Sequence, residues 1–264
     1  MHPVISSAQN PKVKQVLALD KARERKKQKR FVVEGLREIS LAVKAGLQPA
    51  QVFYPAQDDE CREHLTALLD DVTVLLPTEN AVFEKLTYRG LPARALGVFP
   101  EWKTTLADLH VPKNPLVLVV EAIEKPGNLG ALLRTADAAG VHAVLVCDPN
   151  VDVLNPNVVR SSVGALFTVP VVVASTEEAI AWLKAQHIAI YTTHLEAAHA
   201  YYDVDFKSGA ALVVGTEATG VSQAWVEASK ANIIIPMYGT IDSLNVSNAA
   251  AIVLFEAVRQ RNQA

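Results

Sequence analysis

Leu116-Val-Leu-Val-Val-Glu-Ala-Ile-Glu124-Lys-Pro-Gly-Asn128-Leu-Gly130-Ala-Leu-Leu-Arg134-Thr-Ala-Asp137-Ala-Ala-Gly140 is an apolar run, a turn and a helix-forming stretch, and a second apolar run, His142–Cys147, follows at once. A strand that is apolar at every position, not at alternate ones, is buried on both faces. The strand-helix-strand rhythm is that of a mostly parallel sheet covered by helices. Towards the C-terminus the rhythm repeats. Strands are predicted at 116–120, 142–147, 168–173, 188–192, 211–215 and 232–235, with helices at 129–139, 157–164, 177–186, 223–228 and 245–261.

Towards the N-terminus the elements are shorter and form a small α/β unit. Period and punctuation predict helices over 11–29, 36–45, 61–69 and 78–86, the last capped by Thr78, with strands at 31–33, 51–54, 72–76 and 95–99. The proline-punctuated stretch 100–115 suits a boundary. The expected organisation is therefore a first domain at 1–105, a linker at 106–114 and a second domain at 115–264.

Composition excludes several classes. The chain has 264 residues, enough for a substantial core at about 100–200 residues per domain. Its two cysteines, Cys61 and Cys147, lie far apart and form no Cys-x-x-Cys, which argues against a disulfide framework and a zinc ribbon; no metal site is expected. No apolar run approaches the ~18 residues of a membrane span, and Met1-His2-Pro3-Val4 shows no charged-then-apolar signal region, so a cytoplasmic protein is expected.

The formal charge of −3 conceals an asymmetry. Residues 1–30 carry nine basic groups (Lys12, Lys14, Lys21, Arg23, Arg25, Lys26, Lys27, Lys29, Arg30) against Asp20 and Glu24, whereas residues 106–264 sum to −6. A segment such as Lys21–Arg30 can neutralise several phosphates and release their counterions, which makes nucleic acid a natural partner; the plainer reading is a solvated basic face.

Three loops after strands of the second domain carry polar groups, where open α/β sheets place ligands. In Glu124–Gly130, Pro126-Gly127 makes the turn and Asn128 can cap the following helix. Arg134 either binds an anion at the loop mouth or pairs with Asp137 at i+3. In Val214–Val221, Gly215 and Gly220 bracket Glu217. The third, Ile235–Asn248, gathers Ser243, Asn245, Ser247 and Asn248 before an apolar helix. Neither glycine cluster matches Gly-x-Gly-x-x-Gly or a phosphate loop, which disfavours a dinucleotide-dependent oxidoreductase.

Taken in order, Pro126–Ala136, Gly215–Gly220 and Ile235-Pro-Met with Ser243–Ser247 resemble the three signature motifs of the SpoU (TrmH-like) RNA ribose methyltransferases of the SPOUT superfamily. Val158–Phe167 is similar to the same family. Gln9–Lys14 and Phe31–Arg37 resemble a substrate-binding domain of ribosomal-protein-L30e type. The resemblance implies an α/β fold whose C-terminal chain threads a deep trefoil knot. It also implies methyl transfer from S-adenosylmethionine to a ribose 2′-hydroxyl of structured RNA, ribosomal rather than transfer RNA, by a homodimer.

By position in the motifs, the resemblance gives catalytic roles to Asn128, Arg134, Glu217, Ser243 and Asn245. Cofactor contacts would come from Thr193, His194, Leu195, Gly215, Ile235, Met237 and Leu244. The charge distribution, not a motif, places RNA contacts at Lys12, Lys14, Arg23, Arg25, Lys26, Lys27, Lys29, Arg30 and Arg160. Lys125 stands where the family commonly has an acid or amide, and Thr216 where asparagine is frequent. An RNA-binding module without catalysis is the alternative reading, and it would be expected to lack a motif residue; all three motifs are present here.

Overall fold

The computed structural model describes residues 2–263 apart from 196–198, 217–219 and 242. The chain divides into two compact units, Met1–Trp102 with Val153–Thr168, and Lys103–Asp152 with Val169–Ala264. The excursion 153–168 thus belongs by its contacts to the first unit, although in sequence it lies between strands of the second.

The chain runs α1 (Pro11–Ala18), α2 (Ala22–Gln28), β1 (Arg30–Glu34), α3 (Leu36–Lys44), β2 (Gln51–Pro55), α4 (Asp59–Leu68), β3 (Val74–Thr78), α5 (Asn80–Leu86) and β4 (Leu96–Pro100). It continues through β5 (Leu116–Glu121), α6 (Pro126–Ala138), β6 (Ala143–Cys147), α7 (Pro156–Ser162), α8 (Ala165–Thr168), β7 (Val171–Ala174), α9 (Thr176–Ala185), β8 (Ala189–Thr193), β9 (His199–Ala200), β10 (Ala210–Val214), α10 (Gln223–Ala228), β11 (Ala231–Ile234) and α11 (Val246–Asn262).

In the first unit the sheet order is β1-β4-β2-β3, with β4 antiparallel to both neighbours and β2 parallel to β3. Val13, Val16, Leu19, Phe53, Leu76, Phe83 and Leu96 fill the core beneath it. On the other side, Phe31 stacks against Phe99, Trp102 and Phe167 of α8. Gly164, which precedes α8, lies so close to Leu41 that a Cβ there would come within 2.4 Å of Leu41 Cδ1.

The helix expected over 11–29 is two helices. Arg25 is 4% exposed, and its guanidinium donates to the carbonyls of Leu19 (2.8 Å) and Asp20 (2.9 Å) in the break, satisfying acceptors that a continuous helix would have used internally. Thr78 does not cap α5. It ends β3, which runs two residues later than expected because its ladder with β2 continues to Thr78 opposite Pro55, where Ile5 also bridges; Glu79 precedes the helix. In the region expected to form a strand over 168–173, α8 ends at Thr168 and β7 begins at Val171.

The second unit holds, among the described residues, a seven-stranded sheet in the order β7-β6-β5-β10-β8-β11-β9, parallel throughout. Every residue of β5, β6 and β10 is buried, as their uninterrupted apolar pattern requires. A capping box between Ser175 and Glu178 starts α9. The last helix, α11, packs along α6 and is latched by Arg261, which donates to the carbonyls of Phe206, Asn114, Pro115 and Ser208. Burial lowers the pKa of that guanidinium from its ordinary value. Among the described residues no helix is long and apolar enough to cross a membrane.

Candidate active site

Because the strands of the second unit are parallel, all their carboxyl ends lie along one edge, and the three motif loops leave from that edge. At its centre, β8 and its neighbours place the proposed cofactor segments side by side. Thr193 Oγ1 donates to the carbonyl of Val213 at 3.1 Å, and the main-chain N–H of His194 donates to that of Ile233 at 3.0 Å. Gly215, Ile235 and Met237 continue from β10 and β11 within this same row of strand ends.

Gly215 is required where it stands. Thr216 and Gly220 exchange two main-chain hydrogen bonds of 2.9 and 3.0 Å, which folds the second loop back on its own start. A Cβ on Gly215 would lie 2.0 Å from the Gly220 carbonyl oxygen. Glu217 lies outside the described residues.

The first and third motifs meet directly. Asn128 does not cap α6 as expected: Pro126 occupies the first turn after Lys125, and Asn128 sits within that turn with its side chain given to another task. Its Oδ1 accepts from Asn245 Nδ2 at 3.2 Å. Asn245 is itself the cap of α11: its Oδ1 accepts from the N–H (3.0 Å) and the hydroxyl (2.6 Å) of Ser247. Ser243 and Leu244 lead into this cap, Ser243 exposed and Leu244 half-buried.

Arg134 is exposed on α6, six residues beyond Asn128. At 3.6 residues per turn this places it about 120° around the helix and about 9 Å further along the axis, on a different face from the Asn128–Asn245 contact. Asn128 and Asn245 are thus joined, Thr193, His194, Gly215, Ile235 and Met237 follow neighbouring strand ends, and Arg134 stands on another face of α6 from the asparagine pair.

One positioning residue escaped the sequence reading. Glu121 ends the apolar strand β5, is 6% exposed, and accepts from Ser222 N–H at 2.6 Å and from Thr176 Oγ1 at 3.1 Å, so it ties the return of the second loop to the start of α9. An acid closing an otherwise apolar strand was the available signal. Thiol chemistry is disfavoured: Cys61 and Cys147 are both buried, and burial pushes Cys61 up to about 12 and Cys147 higher still.

The groups at this edge fit S-adenosylmethionine. Thr193, His194, Leu195, Gly215, Ile235, Met237 and Leu244 combine apolar side chains with main-chain polar groups and include no lysine or arginine that would repel a sulfonium.

Comparison with known proteins agrees with this geometry. Residues 115–255 match the SpoU rRNA Methylase family, and residues 10–97 match the MRM3-like substrate binding domain. The chain is similar to 23S rRNA (guanosine(2553)-2'-O)-methyltransferase RlmP of Bacillus subtilis, with 34% identity over 256 residues that cover 95% of this chain and 97% of the relative. It is also similar to the 23S rRNA (uridine(2479)-2'-O)-methyltransferase of Streptomyces viridochromogenes, with 33% identity covering 88% and 83%. Among solved structures, the SpoU methyltransferase AviRb from Streptomyces viridochromogenes, in complex with its cofactor AdoMet, superposes with a TM-score of 0.88 at 30% identity, covering 97% of this chain and 100% of that one. With the three motifs converging at the strand ends and the family match spanning the whole parallel sheet, the chain belongs to the SpoU rRNA methylase family.

Proposed function

We propose that the protein transfers a methyl group from S-adenosylmethionine to a ribose 2′-hydroxyl of 23S ribosomal RNA, as a cytoplasmic homodimer whose C-terminal chain follows the knotted path implied by the family resemblance. The observation that carries this reading is the Asn128–Asn245 hydrogen bond, which joins the first and third motifs at the edge where the strand ends lie. Thr193, His194, Gly215, Ile235, Met237 and Leu244 would hold the cofactor, which supplies a methyl group already activated on a sulfonium.

The remaining work is positioning and charge control. Asn128 and Asn245, fixed by each other and by Ser247, orient the approach to the methyl group. A guanidinium is a planar cation with several donors and no acceptor, so Arg134 serves to orient the ribose hydroxyl and to stabilise negative charge developing on its oxygen. Two features support a second copy of this chain as the partner. Ile252 and Phe255 of α11 are exposed, as are Leu195, Tyr238 and Ile241 around the site. Arg134 also faces away from the asparagine pair, which suits a site completed across a two-fold interface.

The test is methylation of purified 23S rRNA and of bulk transfer RNA by the pure protein with labelled S-adenosylmethionine, with the product mapped by mass spectrometry. A single 2′-O-methyl nucleotide in 23S rRNA is expected. Label in transfer RNA alone would overturn the ribosomal substrate, and RNA binding with no label in either would establish the non-catalytic alternative.

A further inference from the structure

Residues of α1, β1, α5 and α7, all within the first unit, enclose a pocket of about 350 Å³ that the methyl-transfer reading leaves unused. Its floor is apolar, made by Val16, Val32, Leu86 and Leu96. Its rim is not. The Arg160 guanidinium lies over the Tyr88 ring, 3.8 Å from the centroid, and also donates to Asn157 Oδ1.

Both partners of this stack are held in place. Asn157 tethers Arg160 from one turn earlier in α7, and the Glu34 carboxylate accepts from the main-chain N–H groups of Tyr88 (2.9 Å) and Arg89 (2.7 Å). Tyr88 nonetheless remains 78% exposed. An aromatic ring anchored through its backbone, covered on one face by a guanidinium and otherwise open to solvent, is a stacking platform awaiting a flat partner.

Within the lining Lys85 and Arg160 balance Asp20 and Glu34, and the surplus of positive charge lies in the segment that follows Asp20. Asp20 lines it, and the basic run begins at the next residue, with Lys21, Arg23, Lys26 and Lys27 all exposed. Lys85 stands on the rim as well. Phosphates held by these cations would keep an adjoining base within reach of Tyr88, the pairing of a basic track with an aromatic platform that binds single-stranded nucleic acid. The volume lies near the lower end of the roughly 300–1,000 Å³ of small-ligand pockets, enough for one base.

We propose that this pocket receives a splayed-out nucleobase of the substrate RNA, stacked on Tyr88 and flanked by Arg160. The proposal rests on the reading above only in taking RNA as the ligand. It makes Tyr88 a substrate-docking residue and Glu34 a positioning residue, both outside the motifs that carry the chemistry.

The experiment uses the full chain, fluorescein-labelled octauridylate and the same oligonucleotide carrying 5-bromouridine for photo-cross-linking. Wild-type protein is expected to bind octauridylate and to cross-link at the peptide containing Tyr88. Tyr88→Ala should weaken binding about tenfold, while Tyr88→Trp, which keeps a stacking face, should retain it. S-adenosylmethionine binding by calorimetry should be the same in all three, which shows that the variants are folded.

In methylation assays on 23S rRNA, Tyr88→Ala should raise KM with kcat little changed. Failure of the wild type to bind octauridylate, equal binding by Tyr88→Ala, or cross-links confined to other peptides would overturn the pocket. Absent methylation of any RNA, with Tyr88-dependent binding intact, would overturn the catalytic reading and leave the pocket standing.

Discussion

Gly215 follows β10 at a place where its own loop returns so closely that any side chain meets the Gly220 carbonyl. A methyl group there must push apart two backbone segments, because neither neighbour is a flexible side chain. Gly215→Ala is therefore expected to weaken S-adenosylmethionine binding by tenfold or more, read by calorimetry, and to lower the melting temperature. Arg134 is the opposite case, an exposed side chain whose removal leaves no cavity. Arg134→Ala should abolish methyl transfer while cofactor affinity and thermal stability stay within about twofold and a degree or two of wild type. Loss of cofactor binding in that variant would show that its role is not in the transfer step.

The sequence singles out both residues by type, a glycine after an apolar strand and a cation on an alanine-leucine helix, and the close return of Gly220 accounts for the glycine. Asn128 was legible as important but not in its task, since only the packing of α11 on α6 brings it to Asn245, 117 positions away. Arg25 was counted among phosphate ligands by charge alone, yet it is buried in the α1–α2 break. No local pattern distinguishes a cation that binds a ligand from one that satisfies two carbonyls.

Among the elements, α2 divides into two kinds of basic residue. Arg23, Lys26 and Lys27 are exposed, whereas Arg25 is buried. Replacing Arg23, Lys26 and Lys27 with alanine should weaken RNA binding and reduce the slope of log K against log salt by roughly one for each phosphate no longer neutralised, with the melting temperature unchanged. Arg25→Ala should instead lower the melting temperature by uncapping Leu19 and Asp20. An unchanged salt slope in the triple variant would show that the helix is only a solvated face.

Element type was readable in the second unit because burial on two faces imposes continuous apolar strands. Boundaries were less so wherever a distant segment decided them. Pairing with β2 carries β3 past Leu76 to Thr78, opposite Pro55, and Pro126, not Asn128, opens α6. The packing of 153–168 with the first unit has no signal in its composition at all; it follows from Phe167 meeting Phe31 and Trp102, and from Gly164 meeting Leu41.

At the scale of the whole molecule, acid stability should reflect the few carboxylates that are held by guanidinium groups. Hydrogen bonds from Arg94, with help from the Cys61 N–H that Asp58 caps, hold Asp58 below the ordinary carboxylate range. A carboxyl depressed in the folded state contributes stability that is complete above its unfolded value of about 4 and disappears as pH falls through the folded value. Asp58→Asn keeps a capping oxygen but loses the charge. The melting temperature of that variant should start lower at about pH 7 and decline less steeply than wild type below about pH 4. Parallel curves for the two proteins would remove Asp58 from the acid transition.

The position of β10 has a consequence for how the chain comes into being. It pairs with β5 on one side and β8 on the other, so until residues 210–214 exist β5 has only β6 beside it and β8 has no partner strand. At about 5–20 residues per second, the roughly 90 residues from β5 to β10 occupy a translating ribosome for some 5–20 s. Throughout that interval Leu116–Glu121 is the open border of a nascent half-sheet, a template for unintended pairing. For about a third of its synthesis the chain therefore carries an unpaired strand edge of the kind that chaperones shield.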